Sequence, residues 1–156
     1  MLGLALRDAF NKANDWVSAK NKLGSELSKA KNCVKGNWKF SRDGGAVGDI
    51  NLKGLDGVET VVIPSGAIIT NAFVYVKSAV TSGGSLTLDL NSEAANDLLA
   101  GTAVASLTLG AKIQGVPDHA TVADYKVMTA DRTLTLSFNV AAATAGEIDV
   151  YVEYVL

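Results

Sequence analysis

Residues 81–90, TSGGSLTLDL, form a turn that is followed by a strict alternation of large apolar and small polar side chains. The same alternation recurs at residues 106–111 (SLTLGA) and 133–138 (TLTLSF). Because successive side chains of a β-strand point to opposite faces, each segment is predicted to bury one face and expose the other to water. The predicted inward residues are Leu86, Leu88, Leu90, Leu107, Leu109, Leu134, Leu136, Phe138 and Val140.

Further strands are predicted on both sides of these segments. Residues 37–43 and 49–52 are expected to be short strands around a glycine-rich loop. In residues 58–66 (VETVVIPSG) a further strand is expected to stop at Pro64 and Gly66. The long segment 67–80 and the final segment 147–156 also alternate. Their predicted inward residues are Ala72, Val74, Val76, Ile148, Val150, Val152 and Tyr154, and Phe73 and Tyr75 are predicted to point the other way.

Period-two strands at intervals of roughly 8–12 residues, joined by glycine-rich turns, are typical of an antiparallel β-sandwich. We therefore predict a mainly β domain over residues 37–156. One interruption, residues 92–101, is predicted to form one or two helical turns that begin at the N-cap Ser92 and stop at Gly101.

The N-terminal part differs from the rest. From Leu2 to about Lys31 the residues are good helix formers, and a stripe of apolar residues follows helical spacing. Such a helix has too little apolar surface to be stable alone, so it must pack on its own domain or on another subunit. Residues 1–36 are therefore predicted to be a helical arm. The stripe consists of Leu6, Phe10, Ala13 and Val17, with Trp16 beside it.

The charge is divided between the two parts. Residues 1–39 carry eight Lys or Arg against three Asp or Glu, a net charge of +5. Residues 40–156 carry six basic and thirteen acidic residues, a net charge of −7. This division favours an arm that docks on an acidic neighbour, and a solvated basic helix face is the alternative.

The residues needed for catalysis or metal binding are scarce. The chain has a single histidine, His119, and a single cysteine, Cys33, so neither a zinc site nor an intrachain disulfide is expected. A catalytic triad would need His119 beside Asp118 or Asp124, but no GxSxG motif supplies a nucleophile, and a surface loop is the favoured role. The glycines of DGGAVGD (43–49) indicate turns with positive φ, and calcium binding by Asp43 and Asp49 is only weakly indicated. No catalytic residue, cofactor or metal is predicted.

Binding to nucleic acid and insertion into a membrane are not favoured either. Lysines alternate with Trp16, Trp38 and Phe40, but arginine is scarce and the body is acidic, unlike a basic nucleic-acid-binding face. No apolar run reaches the roughly 18 residues of a membrane span. The start of the chain lacks the pattern of a signal peptide. Docking on other proteins is the preferred interpretation.

Three segments of the chain resemble small structural proteins of tailed bacteriophages and prophages: FSRDGGAVGDINL (40–52), IPSGAIITNAFVYVKSAVTSGGSLTLDL (63–90) and TLSFNVAAATAGEIDVYVEYVL (135–156). This resemblance implies a capsid decoration (cement) or head-fibre protein with a jelly-roll-like body. It also implies a homo-oligomer, with a trimer favoured, that is assembled in the host cytoplasm and binds the major capsid protein or other virion proteins. The first 37 residues lie outside the resemblance.

The expected interface combines the arm with the outward strand aromatics. The predicted contact residues are Phe10, Trp16, Lys20, Lys22, Phe73, Tyr75 and Tyr151. Two alternatives remain open at this point. One is a receptor- or glycan-binding module of a head or tail fibre that uses the same aromatics, and the other is a small hydrolase that uses His119.

Overall fold

The computed structural model describes residues 31–116 and 125–156, and this part of the chain is mainly antiparallel β-sheet. The strands are β1 (Asn32–Lys39), β2 (Gly48–Asn51), β3 (Val62–Ile63), β4 (Ile68–Ser82), β5 (Thr87–Asn91), β6 (Leu99–Ala103), β7 (Lys112–Gln114), β8 (Arg132–Thr133), β9 (Thr135–Asn139) and β10 (Ala143–Val155). One four-stranded sheet, the first sheet, has the order β1-β10-β4-β7, and the other, the second sheet, has the order β2-β9-β5-β6. Strands β3 and β8 form a separate two-stranded ribbon.

Both four-stranded sheets contribute to one hydrophobic core, and alternation explains which residues enter it. The predicted inward residues of β4, β5, β9 and β10 are buried, from Ala72 in the first sheet to Phe138 in the second. Most of these side chains are Val, Leu or Ile, whose branched shapes suit a pleated surface with one dry face. The mainly β, antiparallel prediction is confirmed.

Two aromatic rings join the sheets inside this core. Trp38 of β1 and Phe138 of β9 meet edge to face, with ring centroids 4.8 Å apart and planes at 65°. The indole N–H of Trp38 donates to the carbonyl oxygen of Gly44 at 2.8 Å, so the one polar atom of this fully buried ring has a partner. Trp38 thereby fixes the glycine-rich loop to the core.

The glycine-rich loop has the predicted backbone. Gly44 and Gly48 have φ angles of 73° and 123°, which confirms the predicted positive φ at these two glycines. Gly45 is required for a different reason, because a Cβ atom there would lie 2.5 Å from the carbonyl oxygen of Ala143.

Two predicted inward residues, Leu109 and Val140, are exposed because neither lies in a strand. Residues 106–111 are not a strand: a 3-10 helix, Val104–Ser106, leads into a turn, so Leu107 is buried while Leu109 is 71% exposed. Strand β9 ends at Asn139, and Val140 adopts a φ of 70° and is 74% exposed. At Leu109 the alternation in sequence therefore marks no strand, and at Val140 it extends one residue beyond the end of β9.

Residues 92–101 do not form the predicted helical turns. The segment makes a loop and then enters β6, with Gly101 inside that strand at a φ of 64°. Ser92 does not cap a helix. The Asp97 carboxylate instead accepts the backbone N–H groups of Ser92, Glu93 and Ala94 at 2.8 to 3.0 Å, which closes the loop from its other end.

The beginning of the described chain also differs in detail from the prediction. Strand β1 starts at Asn32, so residues 32–36, which were assigned to the arm, belong to the first sheet. The strand expected at 37–43 ends at Lys39, and a helical turn, α1 (Phe40–Asp43), follows. Among the described residues, no helix has the length and apolar character to cross a bilayer.

Candidate assembly surface

The three strand aromatics predicted as contact residues lie on one face of the molecule. Phe73 and Tyr75 of β4 and Tyr151 of β10 alternate with the buried residues of their strands, so they point outward from the first sheet. Tyr151 pairs directly with Phe73 in the strand register, and Tyr75 lies one outward position further along β4. Tyr75 is 40% exposed, while the other two rings are half-buried.

A row of stacked groups crosses the four strands of this face. The rings of Phe73 and Tyr151 are nearly parallel, with centroids 4.8 Å apart and planes at 12°. The ammonium group of Lys112 lies 4.2 Å from the centroid of Phe73, and that of Lys35 lies 5.0 Å from the centroid of Tyr151. Because one face of each ring meets the other ring, the two cations cover the remaining faces. We call these four residues the aromatic row.

Ion pairs surround the aromatic row. The Lys35 ammonium is 2.7 Å from the buried carboxylate of Asp149, and this hydrogen bond raises the pKa of Lys35. The amide of Asn37 donates to the same carboxylate at 2.8 Å. The Lys77 ammonium lies 2.7 Å from Glu147 and lowers the pKa of that carboxyl group. The face therefore carries organised charges of both signs around an apolar centre.

One end of the same face is aliphatic. Val155 of β10 pairs with Ile68 of β4, and Ile68 forms an antiparallel bridge with Val127. Directly paired residues project from the same side of a sheet, so the three side chains form a continuous line. We call Ile68, Val127 and Val155 the root patch, because the chain enters β1 beside it.

The outer face of the second sheet has a different chemistry. Its central side chains are small and polar, and they form hydrogen bonds with one another. Ser137 donates to Asp49, and Asn91 donates to Ser137 at 2.5 Å. The Asp89 carboxylate accepts the backbone N–H of Gly101 at 2.5 Å and the amide of Asn139 at 2.6 Å. These groups have partners within the chain, and the outward residues of β2, β5 and β9 include no aromatic side chain.

The structure does not bring together Asp43 and Asp49, the two carboxylates weakly indicated as calcium ligands. The Asp43 carboxylate is bound by the Arg42 guanidinium at 2.7 Å and by the backbone N–H of Lys39, whereas Asp49 is engaged by Ser137 in the second sheet. Across residues 31–116 and 125–156, no group of three or more His, Cys, Asp or Glu residues is placed to hold a metal ion. The exposed thiol of Cys33 has its pKa raised by burial and by the nearby Glu153 charge, which opposes reactivity.

An ion-pair cluster that the sequence did not suggest joins the loop after β5 to the start of β8. Glu93 accepts two hydrogen bonds from the Arg132 guanidinium, at 2.7 and 2.9 Å, and two more from the backbone and hydroxyl of Thr129. These bonds, with Arg132 the main cause, lower the pKa of Glu93 to about 2. Because Glu93 and Arg132 lie 39 positions apart in the sequence, no local motif predicts the pair.

A shallow pocket of about 290 Å³ lies where β6 approaches β7. Its lining includes Leu98, Gln114 and Val116 and contains no charged side chain. The pocket therefore offers no acid, base or nucleophile for a reaction. Of the remaining candidates from the sequence, Phe10, Trp16, Lys20, Lys22 and His119 lie outside the described residues.

The comparisons with known proteins concern the fold. No protein-family model matches the sequence, and no curated protein matches it. Three solved structures of bacteriophage capsids contain a chain with a similar structure. This chain has the fold of proteins present in bacteriophage capsids. The resemblance expected from the sequence motifs is thus confirmed at the level of the fold.

The three likenesses are nearly equal in extent. The chain in the capsid of Helicobacter pylori bacteriophage KHP30 is 17% identical with a TM-score of 0.54, and 81% of this chain covers 88% of that chain. The chain in the cyanophage Pam1 capsid is 17% identical with a TM-score of 0.57, at coverages of 81% and 84%. The chain in the Ralstonia phage GP4 capsid is 18% identical with a TM-score of 0.52, also at 81% and 84%.

Proposed function

We propose that this chain is a non-enzymatic structural protein of the bacteriophage virion that decorates and cements the outer surface of the head. The observation that carries the proposal is the extent of the structural likeness. In three phage capsids, 81% of this chain aligns with 84–88% of a chain in the particle. Because the alignment uses most of both chains, the likeness extends over nearly the whole described fold and is not confined to one small part of it.

The strand orders support a jelly-roll-like sandwich as the body of this protein. Along the chain, β1 and β2, β4 and β5, β6 and β7, and β9 and β10 each lie in different four-stranded sheets. Double-sheet jelly rolls, common in viral capsids, have eight antiparallel strands that cross repeatedly between two sheets. A rigid body of this kind suits a protein that must bridge capsid subunits rather than turn over a substrate.

We further propose that the aromatic row, together with Tyr75, contacts neighbouring copies in a homo-oligomer, preferably a trimer, or the major capsid protein. Aromatic residues are enriched at protein interfaces, and charges arranged around an apolar centre select the partner and its orientation. In the N-terminal segment, Trp16, Lys20 and Lys22 complete the proposed contacts on an acidic neighbour, and Phe10 supports them by anchoring the segment. Assembly would take place in the host cytoplasm before the protein joins the virion.

The alternative role, a glycan-binding module of a fibre, has weaker support from the geometry. A sugar platform needs a free aromatic face, but the two faces of Phe73 and of Tyr151 are covered by each other and by Lys112 and Lys35. Of the three predicted contact aromatics on this face, Tyr75 is the one whose ring has substantial exposure. Glycan-array binding that disappears in a Tyr75→Ala variant would favour this alternative.

Binding to phage heads tests the proposed function. Purified protein is sedimented with expanded heads, lacking this chain, of the phage that encodes it, and its oligomeric state is measured by light scattering. We expect a stable oligomer that saturates the heads, and Tyr75→Arg should abolish binding. Asn51→Arg adds the same charge to the outer face of the second sheet and should leave binding unchanged. A monomer that does not sediment with heads would refute the proposal.

A further inference from the structure

The root patch is an exposed aliphatic line at a sheet end. Ile68 is 38% exposed and Val127 is 53% exposed. The backbone N–H of Ile69 donates to the Lys126 carbonyl oxygen at 2.8 Å, and that of Met128 donates to the Ala67 carbonyl oxygen at 2.9 Å. These two hydrogen bonds lie on either side of the bridge between Ile68 and Val127. This is the non-hydrogen-bonded type of pair, in which side chains approach most closely. The patch is therefore built by the backbone and does not depend on a loose loop conformation.

The N-terminal segment, residues 1–30, reaches the body at this place. Asn32, the first residue of β1, pairs with Tyr154, which immediately precedes Val155 of the root patch. The Lys31 ammonium lies 3.5 Å from the Glu153 carboxylate on the outer face of β10. The chain that leads into β1 is thus held beside the root patch, on the side of the sheet from which the patch projects.

We propose that the N-terminal segment lays its apolar stripe, which includes Leu6, Phe10 and Val17, on the root patch of its own chain. The stripe needs a partner surface, because a single amphipathic helix is marginal in water. Fourteen residues separate Val17 from Asn32 in the sequence, and a chain of that length can double back over the sheet end.

Tethering explains the choice of the chain's own patch over that of a second copy. A segment joined to its binding site by a short linker acts at an effective concentration in about the millimolar range, far above that of other copies in dilute solution. Lys20 and Lys22, which follow the stripe, then remain available for an acidic neighbour. The inference does not depend on the proposed capsid role, because it concerns the isolated protein.

Disulfide trapping in the full-length protein identifies the occupant of the patch. In a Cys33→Ser background, Phe10→Cys is combined in turn with Ile68→Cys, Val127→Cys and Val155→Cys, and Phe10→Cys with Leu109→Cys is the control. We expect an intrachain disulfide, with monomer mass on a non-reducing gel, for at least one root-patch pair and not for the control. Disulfide-linked dimers would assign the patch to a second copy. Disulfide yields equal to that of the control pair would show that the segment does not dock on the patch. Either result overturns the proposal.

Limited trypsin digestion provides an independent measurement. Cleavage after Lys12 and Lys20 in the N-terminal segment should be slow in the wild type, because cleavage samples the detached segment. Ile68→Asp and Val127→Asp should each raise this rate by about tenfold, which corresponds to a docking free energy weakened by roughly 1.4 kcal/mol. Leu109→Asp introduces the same charge at a more exposed leucine, outside the root patch, and should leave the rate unchanged. Near-ultraviolet circular dichroism confirms that each variant is folded, and equal cleavage rates in all folded variants would contradict the proposal.

Discussion

Phe73 and Tyr151 stack across β4 and β10 with ring centroids 4.8 Å apart, although both residues point away from the hydrophobic core. Outward strand positions usually carry polar residues, and the ordered aromatic pair at the middle of this outer face is the reason why we propose it as a contact surface. The two cations over the outer ring faces, Lys35 and Lys112, extend the order to the neighbouring strands.

The aromatic pair should contribute measurably to the isolated protein. In a double-mutant cycle with Phe73→Ala and Tyr151→Ala, we expect a coupling of about 0.5–1.5 kcal/mol in the free energy of unfolding, the usual value for stacked rings. Urea denaturation monitored by tryptophan fluorescence, to which the buried Trp38 contributes, measures this coupling. The control cycle combines Tyr151→Ala with Leu109→Ala, two distant residues, and should be additive. A coupling as small as the control's would mean that the rings do not stack in solution.

Gly45 should not tolerate even one added methyl group. In Gly45→Ala the new Cβ would meet the Ala143 carbonyl oxygen at 2.5 Å, so β10 or the loop must move, at a cost of about 1–3 kcal/mol in stability. Gly83→Ala is the matched control, because nothing lies within 4 Å of its Cβ position. That variant should gain about 0.4–1 kcal/mol by restricting the unfolded chain. Thermal unfolding of both variants tests the contrast, and equal midpoints would disprove the close approach.

Val140 should be replaceable with a gain in stability. A β-branched residue at a φ of 70° is strained, and its exposed side chain contributes little burial. Val140→Asn, which suits left-handed backbone, should stabilise the fold by roughly 1 kcal/mol. Val47→Asn, also at an exposed valine but without positive φ, controls for the change of side chain and should show no gain. Urea denaturation measures the free energy of unfolding of both variants. A Val140→Asn variant less stable than the wild type would indicate that the valine has a packing partner.

The ion pair between Glu93 and Arg132 should make stability depend on pH in the acid range. Folding lowers the pKa of Glu93 from 4.5 to about 2, so its contribution is complete above about pH 4.5 and is lost as the pH falls towards 2. Arg132→Met should destabilise the protein at about pH 6 and have little further effect near pH 2. Lys126→Met removes one positive charge away from Glu93 and is the control. Urea midpoints across this pH range that fall in parallel for all three proteins would contradict the assignment.

The sequence predicted the strands wherever one face is dry over the whole strand length. In β4 the inward Val74 and the outward Tyr75 both lie as alternation requires, because core packing and solvent select the two faces separately. The same rule failed at Leu109 and Val140, where the apolar pattern continues but the backbone turns. Turn geometry depends on distant partners here, such as the Val76 carbonyl that accepts the Gly110 N–H.

The candidate surface was predictable only in part. Outward positions on β4 and β10 pointed to Phe73 and Tyr151 as candidate contact residues, but their pairing depends on strand order, which one sequence does not reveal. Lys35 and Lys112 were not predicted as parts of the surface, because they join it from strands far apart in the chain. The root patch was missed for the same reason: Val127 and Val155 become neighbours only through Ile68.

The central claim, that this chain decorates a phage head through the outer face of its first sheet, is tested most directly by electron microscopy. A reconstruction of the particle that contains the chain should place its two-sheet body on the outside of the shell. Phe73, Tyr75 and Tyr151 should then be covered by a neighbouring subunit. A map in which the chain is absent from the particle, or in which this face is open to solvent while another surface makes the contacts, would contradict the account.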